Sequence, residues 1–196
     1  EITELCEGAV DMYEDCLSNP RNPEGNPALA IALISYILSS KKGKSVFVTS
    51  VFEPALFKYG EWRDQLIEES IGHDENIFIT TKTAELSNKA HSDFQNWIAG
   101  KNRYLHQFIV PMESLHDLLA SHSNPDNASE TVDDVEKAAF FGIRDSLALN
   151  DRPSFTTIIP RLTSYVIGQL FMRDMISVIY LGEFYGLRSE KGIKGL

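Results

Sequence analysis

The chain has 196 residues, 43% of them hydrophobic and 23% charged, with a formal net charge of −10. That length suits one globular domain with its own core. The acidic balance argues against a general nucleic-acid binder, which needs clustered Lys and Arg, but leaves room for a small phosphorylated ligand held by two or three local donors.

Apolar residues at helical spacing, with acids between them, predict a first helix over Ile2 to Leu17. Ser18 to Gly25 is rich in breakers and reads as a loop. Asn26 is placed to cap, and Pro27 to open, an apolar helix over Ala28 to Leu38, ended by Lys41-Lys42-Gly43-Lys44. The β-branched run Ser45 to Thr49 predicts a strand. Pro54 to Ser70 reads as a helix entered through a loop, and Ile77 to Thr80 as a second buried strand. Ser87 is expected to cap a helix running to Ala99, stopped by Gly100.

Tyr104 to Val110 predicts a third strand closed by Pro111, followed by a short helix from Leu115 to Ala120 and a polar loop to Asn127. A helix acidic in its first turn is expected from Ser129 to about Leu149. After the turn at Asp151-Arg152-Pro153 come a fourth strand, Phe155 to Ile159, and a long apolar helix from Arg161 to Leu187. Short apolar strands alternating with helices predict an α/β fold, a parallel sheet flanked by helices on both faces. In such sheets ligands sit beyond the carboxyl ends of the strands, so the segments after Thr49, Thr80 and Val110 are the places to look.

Cys6 and Cys16 are ten apart in one helix, too far along its axis for a disulfide, and read as reduced cysteines of a cytosolic protein. The opening residues, with Glu1, Glu4 and Glu7, do not read as a secretory signal. Arg173, Asp174 and Glu183 break the longest apolar stretch, which makes it a buried helix and not a membrane span. Asn127-Ala128-Ser129 fits a glycosylation acceptor, a tripeptide common by chance. No metal-ligand spacing, dinucleotide fingerprint, phosphate loop or serine or cysteine nucleophile signature is present, so neither a metal nor a cofactor is expected.

Gln65 and Glu69, four apart, share one face of their helix near its end. A carboxylate there faces the negative end of the helix dipole, a setting suited to a base, although a solvated acidic helix end has the same spacing. Glu68, about 100° away, reads as a surface acid. His91 lies one turn into its helix. His106 reads as a packed or edge residue, and His73, His116 and His122 as solvated.

The segment Gln65-x-x-x-Glu69-Ser70-x-Gly72 resembles one found in the glucose-6-phosphate isomerase family. Asn88 to Gln95 with Ala99-Gly100 is similar to the stretch around that family's essential histidine, and Phe108 to Pro111 to the strand after it. Asp151 to Ser154 and Leu162 to Gly168 resemble its last strand and long C-terminal helix. The matches are collinear along nearly the whole chain.

The resemblance implies a single C-terminal sugar-isomerase (SIS-type, flavodoxin-like) domain covering residues 1–196, with the family's N-terminal half absent. It implies interconversion of glucose 6-phosphate and fructose 6-phosphate through a cis-enediol, as in glycolysis and gluconeogenesis. Glu69 would be the proton-transfer base, His91 would assist ring opening, and Gln65 would line the substrate pocket. The partners implied are a phosphorylated hexose and, because the family's histidine reaches the neighbouring subunit's site, a second copy in a homodimer. A membrane or nucleic acid is not implied, and a cytoplasmic location is.

The chain departs from the family in its tail, where Glu190-Lys191-Gly192-Ile193-Lys194 stands in place of Gln-x-Gly-Val-Glu. Lys194 thus falls at the family's glutamate, and the ring-opening lysine would follow Leu196. Lys89 replaces a glycine before the histidine segment. The isolated chain is therefore expected to fold but to turn over little substrate. A non-catalytic sugar-phosphate-binding regulatory domain and an interaction domain without ligand are the alternative readings.

Overall fold

The computed structural model describes residues 1–72, 75, 77–113 and 131–187. In chain order the helices are α1 (Ile2–Ser18), α2 (Pro27–Lys42), α3 (Phe57–Ser70), α4 (Leu86–Ala99), α5 (Val132–Leu149) and α6 (Ser164–Phe184). The strands are β1 (Val46–Val51), β2 (Thr80–Glu85), β3 (Tyr104–Glu113) and β4 (Ser154–Arg161), and a 3-10 turn, Pro54–Leu56, leads into α3. The strands form one parallel sheet in the order β2-β1-β3-β4. That order, with its reversal at β1, is the flavodoxin-like one, so the expected α/β fold is the observed one. In the parallel pair of β3 and β4, His106 lies opposite Ser154 and Val110 opposite Ile158.

Several boundaries differ from expectation. The second strand is not Ile77 to Thr80 but begins at Thr80 and runs to Glu85. It enters α4 without a loop, so Glu85, and not Ser87, is the N-cap residue. β3 continues through Pro111 to Glu113 because β4 pairs with it that far. The expected helix at Leu115 to Ala120, the polar loop after it, Ser129, the glycosylation tripeptide, His73, His116, His122 and the tail from Glu190 lie outside the described residues.

The chain divides into two compact units interleaved in sequence. One comprises the described residues of Glu1–Phe47, Glu61–Lys82 and Thr163–Leu196; the other comprises those of Val48–Gly60 and Thr83–Leu162.

In the first unit Asn26 caps α2 as its sequence position suggests. Its Oδ1 accepts from the Leu29 N–H at 2.9 Å, while its Nδ2 donates to the carbonyl of Cys16 at 3.1 Å. The buried amide thereby joins the end of α1 to the start of α2. Gly43 ends α2 in the left-handed conformation, φ 66° and ψ 28°, which glycine adopts without a Cβ clash. Helices α1 and α6 run side by side in the same direction, with Tyr165 at Gly8, Gly168 between Leu5 and Ala9, and Tyr180 near Pro20. The approach needs two glycines, since a methyl at Gly8 would overlap the Tyr165 carbonyl and one at Gly168 the Leu5 carbonyl.

The core of the second unit is aromatic. Phe140 of α5 meets Phe52 and Phe108 edge-on, each at 5.3 Å between centroids. Trp97 of α4 meets His106 of β3 at 4.7 Å. Thr131 closes a reciprocal capping box with Asp134 at the start of α5. Among the described residues no helix is long and apolar enough to cross a membrane.

Candidate active site

In the first unit, α3 carries the two residues singled out by their four-residue spacing. Gln65 Nε2 donates to Glu69 Oε1 at 2.8 Å, so the helix does bring them together, and both side chains are exposed. A carboxylate presented this way can accept a proton from a bound molecule and return it, with the amide fixing one of its oxygens.

The opposite side of α3 is buried and fastened to α6. Arg63 Nε lies 2.9 Å from Asp174 Oδ2, with the two side chains 6% and 2% exposed. Arg173 donates to the other oxygen, Asp174 Oδ1, from Nε at 2.9 Å, and its terminal nitrogen is equally close. One buried carboxylate thus serves two guanidinium groups, the pairing that makes buried charge tolerable. Trp62 adds an edge-to-face contact with Phe171 of α6 at 4.4 Å.

Glu68 is at the surface, as expected, but it is bonded there to the start of β2. Although exposed, its Oε1 accepts from the Thr81 N–H at 2.9 Å, the Thr81 hydroxyl at 3.0 Å and the Thr80 hydroxyl at 3.2 Å. The Thr81 amide holds the Glu68 carboxyl below the usual carboxylate range, helped by the two hydroxyls and opposed by partial burial.

His91 belongs to the second unit, where it is exposed on α4, the helix that follows the carboxyl end of β2. Arg152 secures the far end of that helix. It donates from Nε to the Ile98 carbonyl at 3.1 Å and from its terminal nitrogen to the Gly100 carbonyl at 2.9 Å. A cation on the last carbonyls of a helix satisfies acceptors that the helix itself leaves open.

His106 is fully buried among Trp97, Tyr104 and Phe108, and among the described residues neither ring nitrogen has a hydrogen-bond partner. Burial pushes its pKa down to about 4 and keeps the ring neutral. It is a packing residue, as its place in an apolar strand suggested. Among the described residues no group of three or more His, Cys, Asp or Glu side chains is placed to hold a metal ion.

Sequence reasoning missed the three bonds of Glu68 and the buried partner of Arg63. The second had a visible signal. Arg173 and Asp174 stand in the middle of a strongly apolar helix, where charges are kept only if they pair.

No family model matches the chain. A protein of Methanococcus maripaludis named probable glucose-6-phosphate isomerase is 25% identical over 191 residues, which make up 96% of this chain and 42% of that protein. Glucose-6-phosphate isomerases of Bacillus cereus and Clostridium perfringens are each 30% identical, over 175 and 178 residues, covering 86% of this chain and 38% of theirs. The chain therefore spans about two fifths of the length of these relatives.

Among solved structures, a hypothetical protein of Thermus thermophilus matches with a TM-score of 0.82 at 22% identity, over 93% of this chain and 45% of that one. A glucose-6-phosphate isomerase of Chlamydia trachomatis matches with a TM-score of 0.77 at 17% identity, over 95% and 39%. These two establish a shared fold. Because the sequence similarity runs along most of its length, the chain is related, at the level of family, to the glucose-6-phosphate isomerases.

Proposed function

We propose that the chain is one domain, C-terminal in its parent, of a cytoplasmic aldose–ketose isomerase that interconverts glucose 6-phosphate and fructose 6-phosphate. The observation that carries the reading is the Gln65–Glu69 pair, joined at 2.8 Å on the exposed side of a helix fastened along its back. In this reading Glu69 takes the proton from C2 of the open-chain aldose and returns it to C1, while a proton passes from the C2 hydroxyl to O1, so that the reaction runs through a cis-enediol to the ketose. Gln65 orients the carboxylate. The His91 imidazole exchanges a proton with the ring oxygen so that the cyclic sugar opens. His91 is exposed, as a group serving the neighbouring subunit of a homodimer would be.

The test is made in the full-length protein. Glu69→Gln keeps the shape and removes the basicity, so kcat should fall about 10²–10⁴-fold with KM little changed. Solvent hydrogen exchange at C2 of the substrate should be lost. Unchanged turnover would refute the role of Glu69. His91→Ala should slow the cyclic sugar far more than an open-chain substrate, and equal losses on both would remove His91 from ring opening. The regulatory alternative rests on Lys89 and the altered tail, and binding of the hexose phosphate without any turnover would favour it.

A further inference from the structure

We infer that Glu68 is a positioning residue, whose carboxylate ties the last turn of α3 to the first residues of β2 and so holds Glu69 and Gln65 in place. The inference rests on the reading of Glu69 as the proton-transfer base. Helix ends fray because their last carbonyls lack intrahelical partners. Glu69 is the second-to-last residue of α3, where fraying would move it most. A general base must be held to within about half an ångström, and an error of about 1 Å can cost about 10²-fold in rate.

The structure supplies a restraint at that turn. Glu68 Oε1 accepts three hydrogen bonds, one from the backbone of Thr81 and two from the hydroxyls of Thr80 and Thr81. The Thr81 hydroxyl also lies 3.4 Å from the carbonyl of Asp64, one turn earlier in α3. The start of β2 is in turn fixed by the Thr80 N–H, which donates to the Ser45 carbonyl at 2.9 Å. A short polar relay therefore runs from the chain just before β1, through the start of β2, to the residue beside Glu69. Bonds to an ionised acceptor are the stronger kind, and the depressed Glu68 carboxyl keeps that acceptor charged at neutral pH. Because Glu68 is exposed, its removal should loosen this turn locally and leave the buried core of the unit alone.

Two readouts test the inference. In the 196-residue chain, hydrogen exchange at the Thr81 amide should speed up about tenfold in Glu68→Ala, while the unfolding midpoint moves little. In the full-length protein the same substitution should lower kcat about 10- to 100-fold with KM within about twofold. Glu68→Gln retains an acceptor oxygen and should restore both. This is the reverse of Glu69, where Gln is expected to abolish turnover. Thr81→Val removes one donor from the other side and should reproduce part of both effects, less than additively with Glu68→Ala.

Unchanged Thr81 exchange in Glu68→Ala would overturn the restraint. Faster exchange with unchanged kcat would overturn its role in positioning. If Glu69→Gln itself kept full turnover, the fault would lie in the assignment of the base, and the exchange data would still report on the restraint separately.

Discussion

Acid should weaken this fold through one identifiable group. His106 is wholly buried in β3, ringed by Trp97, Tyr104 and Phe108, with no hydrogen bond to either nitrogen among the described residues. Its folded pKa is about 4, against about 6.5 for a free imidazole, and burial is the cause. Since the folded value is depressed, the unfolded chain binds the extra proton first. The contribution is fully present above pH ~6.5 and is lost as the pH falls through ~4. A gap of about 2.5 units, at about 1.4 kcal/mol each, amounts to about 3.5 kcal/mol across that window. Urea unfolding followed by circular dichroism between pH 8 and pH 4, on the wild type and on His106→Leu, isolates the group because other titrations cancel in the difference. The wild-type advantage or deficit should be constant above pH ~7 and should shift against the wild type by about 1 kcal/mol per unit below pH ~6. Parallel curves with a constant offset would refute the reasoning, for they would mean that the ring finds a partner or water in solution.

Gly168→Ala forces a methyl into the Leu5 carbonyl and should cost about 3 kcal/mol or more by equilibrium unfolding, whereas Gly182→Ala, whose methyl would meet Leu187 at an ordinary 4.0 Å, should cost little. Asp174→Asn leaves Arg63 and Arg173 without their shared charge and should cost about 3–5 kcal/mol in the same assay. Arg152→Met removes the charge-assisted bonds to the Ile98 and Gly100 carbonyls and should cost about 2 kcal/mol, with faster amide exchange at the end of α4. The depressed Glu68 carboxyl adds stability above its ordinary unfolded value of ~4.3, and this is lost as pH falls through the lower folded value. The difference between wild type and Glu68→Gln should therefore be level above pH ~5 and shrink below it.

What could be read from the sequence was mostly local. Asn26-Pro27 announces a helix start, and the cap forms because its partners lie within three residues. Gln65 and Glu69 meet because four residues is close to one helical turn. The second strand was misplaced for a physical reason. Ile77-Phe78-Ile79 has the apolar look of a strand, yet the strand is the polar Thr80–Glu85, which lies at the edge of the sheet. Edge strands tolerate polar residues such as Thr80, Thr81 and Lys82, so an apolar run is a poor guide there. Ser87 has the residue type of a cap, but β2 runs directly into α4 and the N-cap position falls at Glu85. The partners of Glu68 are 12 and 13 residues away, and that of Arg63 is on α6, so no spacing rule could pair them.

The long-range contacts nonetheless follow a simple geometry around α3. Successive residues turn by about 100°, so Gln65 and Glu69 define one direction on the helix surface. Arg63 and Ile67 point roughly opposite and are 5% and 3% exposed, held by Asp174 and the apolar core. Glu68 falls on one flank, on Thr80 and Thr81, while Trp62 lies two turns before Glu69, nearly in line with it, and packs against Phe171. The helix is thus held on its back, on the Glu68 flank and two turns below Glu69, while Gln65 and Glu69 themselves are exposed. Were Glu68 the base, taking a proton would weaken the three charge-assisted hydrogen bonds it accepts, and its depressed carboxyl would make it a weaker acceptor. Glu69 instead stands on the solvent-facing side, bonded to the amide of Gln65 one turn away. The two adjacent acids therefore differ in what each is bonded to, whatever the chain resembles. That difference is the physical ground for giving anchoring to Glu68 and, in the proposed reading, proton transfer to Glu69.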